Sequence, residues 1–253
     1  MSTQKIALVT GGSRGLGKDM AINLAKKGLD VIITYNSNTQ AASETVRLIE
    51  NEGRNGFAIQ LDARNVKSFT DFASDLKEQL QTRFGAEHFD YLINNAGFGY
   101  NGSVADTTEK AFDDLYNVHL KGVYFLTQKL LGSINDGGGI VNISSGLARF
   151  SFPGYSAYAS MKGAIEVYTR YLAKELGGRK IKANTVAPGA INTDFNKERF
   201  EAAPQVVDMI ASLTALGRVG ESEDIGAVVA FLCTEEAGWI NGQRIEASGG
   251  MFV

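Results

Sequence analysis

The stretch Ile6-Ala7-Leu8-Val9-Thr10-Gly11-Gly12-Ser13-Arg14-Gly15-Leu16-Gly17 decides the fold. Its first residues, apolar and followed by turn formers, predict a buried strand over Ile6–Thr10. The glycines allow a tight turn, and helical periodicity follows near residues 15–28. A strand that passes through a glycine turn into a helix aims free N–H groups and a partial positive charge at one point, which suits a phosphate. The spacing is GxxxGxG and not the GxGxxG fingerprint. Two other patterns overlap the turn and neither is completed. Gly12 to Lys18 fits a P-loop, but Asp19 stands where that loop needs Ser or Thr for magnesium. Gly11 to Gly15 fits the GxSxG nucleophile elbow, but a first strand leaves no earlier strand to supply an oxyanion loop. The only histidines, His88 and His119, are few for a triad that needs a late base.

Working outward, short apolar runs at Val31–Tyr35, Gly56–Leu61, Tyr91–Asn94, Ile140–Ile143, Ile181–Val186 and Gln243–Glu246 predict further strands. Helical patterns lie between them, near 40–52, 66–84, 108–133, 156–176 and 222–233. This alternation predicts an α/β chain, 1–253, folded as one Rossmann-like doubly wound domain, with a parallel sheet covered by helices on both faces. Residues 192–212 break the rhythm, carry Pro204 and predict a loop with short helices, part of a substrate loop at about 190–215. A net charge of −3 gives no reason to expect nucleic acid or an anionic membrane. No apolar run approaches the roughly 20 residues of a membrane span, and Met1 to Val9 is too short for a signal peptide. The single cysteine, Cys233, forms no internal disulfide, fits a cytoplasmic location and falls in an apolar stretch that reads as core. No metal site is expected.

A second constellation carries chemistry. Ser145 runs off the strand at Ile140–Ile143, Tyr158 follows thirteen residues later, and Lys162 stands at i+4 from Tyr158. On a helix Tyr158 and Lys162 share a face. A lysine there is expected to stabilise phenolate and lower the tyrosine pKa. Ser145 can polarise a carbonyl, and the group suits proton transfer to a developing alkoxide.

Thr10–Gly17, Asn94-Asn95-Ala96-Gly97, Ser145 with Tyr158-x-x-x-Lys162, and Pro188-Gly189 together resemble the short-chain dehydrogenase/reductase family. The tail, Gly217-Arg218-Val219-Gly220 through Gly242-Gln243 to Gly249-Gly250, is similar to that family's 3-oxoacyl-carrier-protein reductase branch. The resemblance implies seven parallel strands, a nicotinamide cofactor, and a small carbonyl or alcohol substrate. It implies Tyr158 as acid–base, Ser145 as carbonyl polariser, and Lys162 as a further ligand of the nicotinamide ribose. It places Gly11, Ser13, Arg14, Gly15, Leu16 and Gly17 on the cofactor phosphates and Asp62 and Ala63 at the adenine. Asn95, Ala96 and Gly97 would line the cofactor, and Pro188, Gly189, Ile191 and Thr193 would lie by the carboxamide. It also implies a homo-oligomer, a tetramer joined through the helices near 108–133 and 156–176.

One departure is at the position five before the aromatic of a pattern like NLKGVF. There the family carries a catalytic asparagine and this chain carries His119. Asn117 is near, but residues two apart on a regular helix point about 200° apart. His119 is therefore retained as a candidate that holds a water or relays a proton, beside a purely structural reading. A second departure is Ala247-Ser248-Gly249-Gly250, where relatives often carry Asp before the glycines.

The residues themselves point to NADP(H). No acid occurs between Asp30 and Glu44, so the second strand ends Tyr35-Asn36-Ser37 without the carboxylate that binds a free ribose 2′-OH. Arg14 can reach a 2′-phosphate, and Asn36 and Ser37 can add neutral bonds. Phe98, Tyr100, Leu147, Phe150, Phe152 and Tyr155 are expected to flank an apolar or aromatic ketone, with thioester, steroid, sugar and small-ketone substrates all open. A different class of reading is a non-catalytic NADP-binding sensor, which has little need of Ser145, Tyr158 and Lys162 together. Epimerases and dehydratases on this scaffold tend to be longer.

Overall fold

The structure is a computed structural model and describes residues 4–193, 196 and 200–253. Seven strands form one sheet: β1 (Ile6–Val9), β2 (Asp30–Tyr35), β3 (Gly56–Gln60), β4 (Phe89–Asn94), β5 (Ile134–Ile143), β6 (Lys182–Pro188) and β7 (Arg244–Ala247). Their order is β3-β2-β1-β4-β5-β6-β7 and every pairing is parallel. Among the described residues the helices of eight or more residues are α1 (Gly15–Lys26), α2 (Thr39–Asn51), α3 (Phe69–Gln79), α4 (Glu109–Tyr116), α5 (Val123–Leu130), α6 (Ser156–Glu175), α7 (Pro204–Ser212) and α8 (Glu223–Leu232).

The period of two along each strand splits the core. Ala7, Val9, Val31 and Ile33 meet Met20 and Leu24 of α1 and Ile225 and Val229 of α8 on one face. Leu8, Ile32 and Leu92 meet Phe72 and Leu76 of α3, Leu126 of α5 and Leu172 of α6 on the other. Strands buried on both faces are what a parallel sheet under two helical layers requires. Strand order reverses between β1 and β4, and the carboxyl ends there open a crevice, the usual ligand position in such sheets.

Beneath that crevice a buried polar ladder fixes register. Asn94 donates to Asn142 Oδ1 at 2.8 Å, Asn142 donates to Thr169 Oγ1 at 2.9 Å, and Thr185 shares Thr169 at 2.9 Å. These bonds tie β4, β5 and β6 to α6, the helix that carries Tyr158 and Lys162. Groups so buried cost about 1–3 kcal/mol if left unpaired, so the ladder penalises any sliding of α6 along the sheet.

Several elements differ in their bounds from the sequence expectation. The single helix expected near 108–133 is α4 and α5 joined by a wide π turn over Asn117–Gly122. A Cβ on Gly122 would run into the Ala63 carbonyl and lie 2.8 Å from that of Asn117, so glycine lets the turn press on the loop after β3. β5 begins at Ile134, six residues before the expected start, because Ile134 pairs with Phe89 across an irregularity in the β4–β5 ladder. β2 begins at Asp30, one residue before the expected start, and Asp30 lies at the expected end, away from the crevice, where Arg54 and Asn55 bind its carboxylate. Part of the expected substrate loop, residues 194, 195 and 197–199, lies outside the described residues; its later part is the helix α7. Cys233 is buried core, and burial pushes its thiol up to about 12.

Candidate active site

The crevice is a cavity of about 860 Å3. Every residue expected at the site lines it: Gly11, Ser13, Arg14, Gly15, Leu16, Gly17, Asn36, Ser37, Asp62, Ala63, Asn95, Ala96, Gly97, His119, Ser145, Tyr158, Lys162, Pro188, Gly189, Ile191 and Thr193. The aromatic flank joins them, and Ile210 of α7 and Met251 of the C-terminal tail complete it.

The half built on β1 and β2 fits a dinucleotide. Gly11 and Gly15 adopt positive φ, +66° and +52°, and a Cβ on Gly17 would strike the Gly11 carbonyl. Glycine is thus required for the turn to fold this tightly. Arg14 is the N-cap of α1 with extended backbone and no side-chain cap bond, so no side chain of its own closes the helix terminus. The Arg14 side chain lines the cavity and makes no ion pair among the described residues. The turn is held from beneath: Thr10 Oγ1 accepts from Asn95 and Ala96 N–H, each at 3.0 Å, and Asn95 Nδ2 donates to the Thr10 carbonyl at 2.9 Å. Asn95 therefore braces the glycine turn as well as lining the cavity. Arg64, which sequence reasoning did not single out, also faces this half. It grips Asp62 at 3.0 and 3.1 Å and holds that carboxyl below its usual range.

The reacting half lies where β5 ends and α6 begins. Ser145 caps the short turn at Gly146–Ala148 by accepting from Leu147 N–H at 3.2 Å, and its side chain hydrogen-bonds that of Tyr158. Tyr158 and Lys162 share one face of α6 and are 8% and 5% exposed. Burial raises the Tyr158 pKa, partly offset by the Ser145 bond. Burial pulls Lys162 down to about 8. The expected lowering of the phenol by Lys162 is therefore corrected: the ammonium lies 5.5 Å from the ring centroid and donates to the Ile143 carbonyl at 2.8 Å. The phenol is protonated at neutral pH, the state a proton donor needs.

Of the wide turn, Val118 and His119 reach the cavity and Asn117 does not. Its Nε2 lies 2.9 Å from the Phe98 carbonyl, and its ring meets Tyr158 edge-on at 5.2 Å between centroids. Gly97 makes room, since a Cβ there would lie 2.6 Å from His119 Cε1. Burial and then the Lys162 charge push the imidazole pKa well down, so the ring is neutral; Nε2 donates to the Phe98 carbonyl in one tautomer and accepts from Phe98 N–H, 3.4 Å away, in the other. Its Nδ1 is buried with no partner among the described residues. The substrate half is walled by Phe98, Tyr100, Leu147, Phe150, Phe152, Tyr155, Ile210 and Met251. No formal charge stands on these side chains.

The chain matches known proteins along its length. A family profile described as enoyl-(acyl carrier protein) reductase matches residues 11–252. A hydroxynaphthalene reductase-like protein, Arp2 of Metarhizium brunneum, is 35% identical over 97% of this chain and 94% of its own length. LugOII, a promiscuous reductase that catalyses keto-reduction at C1 during lugdunomycin biosynthesis, superposes with a TM-score of 0.93 at 39% identity over 99% of both chains. The angucycline C-6 ketoreductase LanV, solved with bound NADP, gives a TM-score of 0.92 at 37% identity over 98% of this chain and 95% of its own. A second LanV structure holds NADP and rabelomycin.

Proposed function

The chain belongs to the short-chain dehydrogenase/reductase family, and on that premise we propose that it is an NADP(H)-dependent ketoreductase acting on a neutral, fused-ring aromatic ketone. One observation carries the reading: Ser145, Tyr158 and Lys162 converge at the strand-end cavity whose other half is a dinucleotide seat. NADP(H), when bound, supplies the hydride; all else falls to the chain. The α1 terminus and Arg14 hold the phosphates, with Asn36 and Ser37 beside the adenosine ribose. Asp62 and Ala63 lie toward the adenine. Pro188, Gly189, Ile191 and Thr193 close the nicotinamide side.

Ser145 Oγ donates to the ketone oxygen and polarises it. Tyr158 passes its proton to the oxygen as negative charge develops there. Lys162, cationic below about pH 8 and bonded to the Ile143 carbonyl, would hold the nicotinamide ribose. In the tautomer protonated on Nε2, His119 contributes a neutral acceptor: its Nδ1 lone pair holds a water through which a proton from solvent returns to Tyr158.

The uncharged wall supports the substrate class. A carboxylate or phosphate placed there loses hydration without a counter-charge. Reductases similar to this chain support the same class, with a hydroxynaphthalene reductase-like protein and a rabelomycin-bound ketoreductase among them. We further propose a homotetramer and a cytoplasmic location. Tyr124 and Phe125 of α5 and Val167 and Tyr171 of α6 are exposed large side chains on the two helices expected at the interface, and sedimentation of the intact chain tests their use. The lone, buried Cys233 supports the location.

The test of function is NADPH and NADH consumption against fused-ring aromatic ketones, aliphatic ketones, acetoacetyl thioesters and keto acids. NADPH with the fused-ring ketones is expected to give the highest kcat/KM. Preference for a keto acid would overturn the substrate class. NADPH binding with no turnover of any carbonyl would favour a sensor.

A further inference from the structure

An ionic chain outside the reacting groups joins the catalytic strand end to the far wall of the pocket. Glu246 of β7 accepts from two arginines at once. Arg149 donates Nε and Nη2 to its two oxygens, both at 2.7 Å, and Arg244 donates Nη1 at 2.7 Å. Burial pushes the Glu246 carboxyl up, but bonds from Arg149, Arg244 and Ser248 hold it down at about 2, so it stays charged at any working pH.

The chain runs inward through Arg244. Its Nε donates to Glu166 at 2.7 Å and its Nη2 to the Ser145 carbonyl at 3.3 Å. Glu166 lies one turn past Lys162 on α6 and also accepts from Ser144 Oγ at 2.7 Å. The end of β5 and the catalytic helix are thereby braced together.

It runs outward through Arg149. Nη2 donates to the Met251 carbonyl at 2.8 Å, and the Phe252 ring packs on Phe150 at 4.8 Å. Met251 faces the pocket, and the tail pairs with the segment after α7, where Phe252 N–H donates to the Leu213 carbonyl at 3.1 Å. An isolated ion pair as exposed as this contributes little. A forked guanidinium shared between a carboxylate and a backbone carbonyl instead fixes geometry.

We propose that Arg149 is a positioning residue for the ketone: through Glu246 and the Met251 carbonyl it holds the C-terminal wall of the pocket in register with Ser145. The proposal rests on the ketoreductase reading. Arg149 touches nothing in the dinucleotide half, so its loss acts on the ketone alone.

The test uses the intact enzyme, with NADPH affinity measured by fluorescence and turnover measured on the best ketone of the panel. Arg149→Met is expected to raise ketone KM about tenfold and to lower kcat less than about threefold, since small misplacements of a substrate carry costs of this order. NADPH Kd should stay within about twofold. Arg149→Lys keeps the charge but not the fork, so its KM should fall between the two. Adding Glu246→Gln to Arg149→Met should cost less than the two single losses combined, because both remove the Arg149–Glu246 contact and only Glu246→Gln also weakens the Arg244 bond. If Arg149→Met does not fold, Arg149→Lys and Glu246→Gln carry the same KM test. Wild-type KM in these variants overturns the proposal, and so does a parallel loss of NADPH affinity and ketone turnover, which is the mark of a merely structural arginine. A wild-type enzyme that reduces no ketone overturns the ketoreductase reading and this proposal with it.

Discussion

Tyr158 and Lys162 stand one helical turn apart, and burial acts on both toward the neutral form. For Tyr158 this keeps the proton on the donor. For Lys162 it brings loss of charge into the working range, at about 8. The sign follows: the cation that would hold the nicotinamide ribose is complete below about pH 8 and is lost as pH rises through that value. Reductive kcat/KM should therefore be level near pH 6–7 and fall about tenfold per unit well above 8, as one required proton is lost. His119, held neutral, should add no bend in the range where an ordinary histidine titrates. A bend near pH 6.5 that vanishes in His119→Asn would contradict this. The cofactor choice is also a matter of single residues. Arg14 is open to the cavity, and β2 ends without an acid. Charge-assisted bonds of about 1.5–3 kcal/mol correspond to roughly a ten- to hundred-fold preference for NADPH. Arg14→Ala should lose NADPH efficiency selectively, and Asn36→Asp should move the kcat/KM ratio toward NADH. An equal effect of Arg14→Ala on both cofactors would show that the guanidinium meets no 2′-phosphate.

At the scale of elements, legibility followed the strength of the local signal. The strand, glycine turn and α1 were plain because each part has its own chemistry: apolar β formers, positive-φ glycines, helical spacing. The start of β5 was hidden because Asn135-Asp136-Gly137-Gly138-Gly139 reads as a turn, and only pairing with β4 makes it strand. The break between α4 and α5 was hidden too, since the residues of Asn117–Gly122 look like ordinary helix and the cause is a close approach to Ala63 from a distant loop. That close approach is testable. Gly122→Ala places a methyl group against the Ala63 and Asn117 carbonyls and should cost about 1–3 kcal/mol in urea unfolding, the usual range for overpacking. Unchanged stability would mean that the wide turn can shift without penalty.

Over the whole molecule, the reversal of strand order between β1 and β4 sets a phosphate seat and a proton donor from distant parts of the chain around one cavity. The sequence named residues that line the cavity, those expected to react and to bind the cofactor through their motifs and the aromatic flank through its composition. It did not yield Ile210, Met251 or the Arg149–Glu246 link, which exist only once α7 and the tail fold back over the crevice. The account requires the two halves to act together, which Tyr158→Phe separates: it removes one hydroxyl and leaves the dinucleotide seat intact. The decisive measurement is NADPH oxidation on a fused-ring aromatic ketone by wild type and Tyr158→Phe, with NADPH Kd measured for both. The account predicts wild-type turnover, a loss of about 10²–10⁴-fold in kcat for the variant, as acid–base catalysis is worth, and equal Kd values. A variant that keeps more than about a tenth of the wild-type rate would contradict it, because the proton must then come from elsewhere.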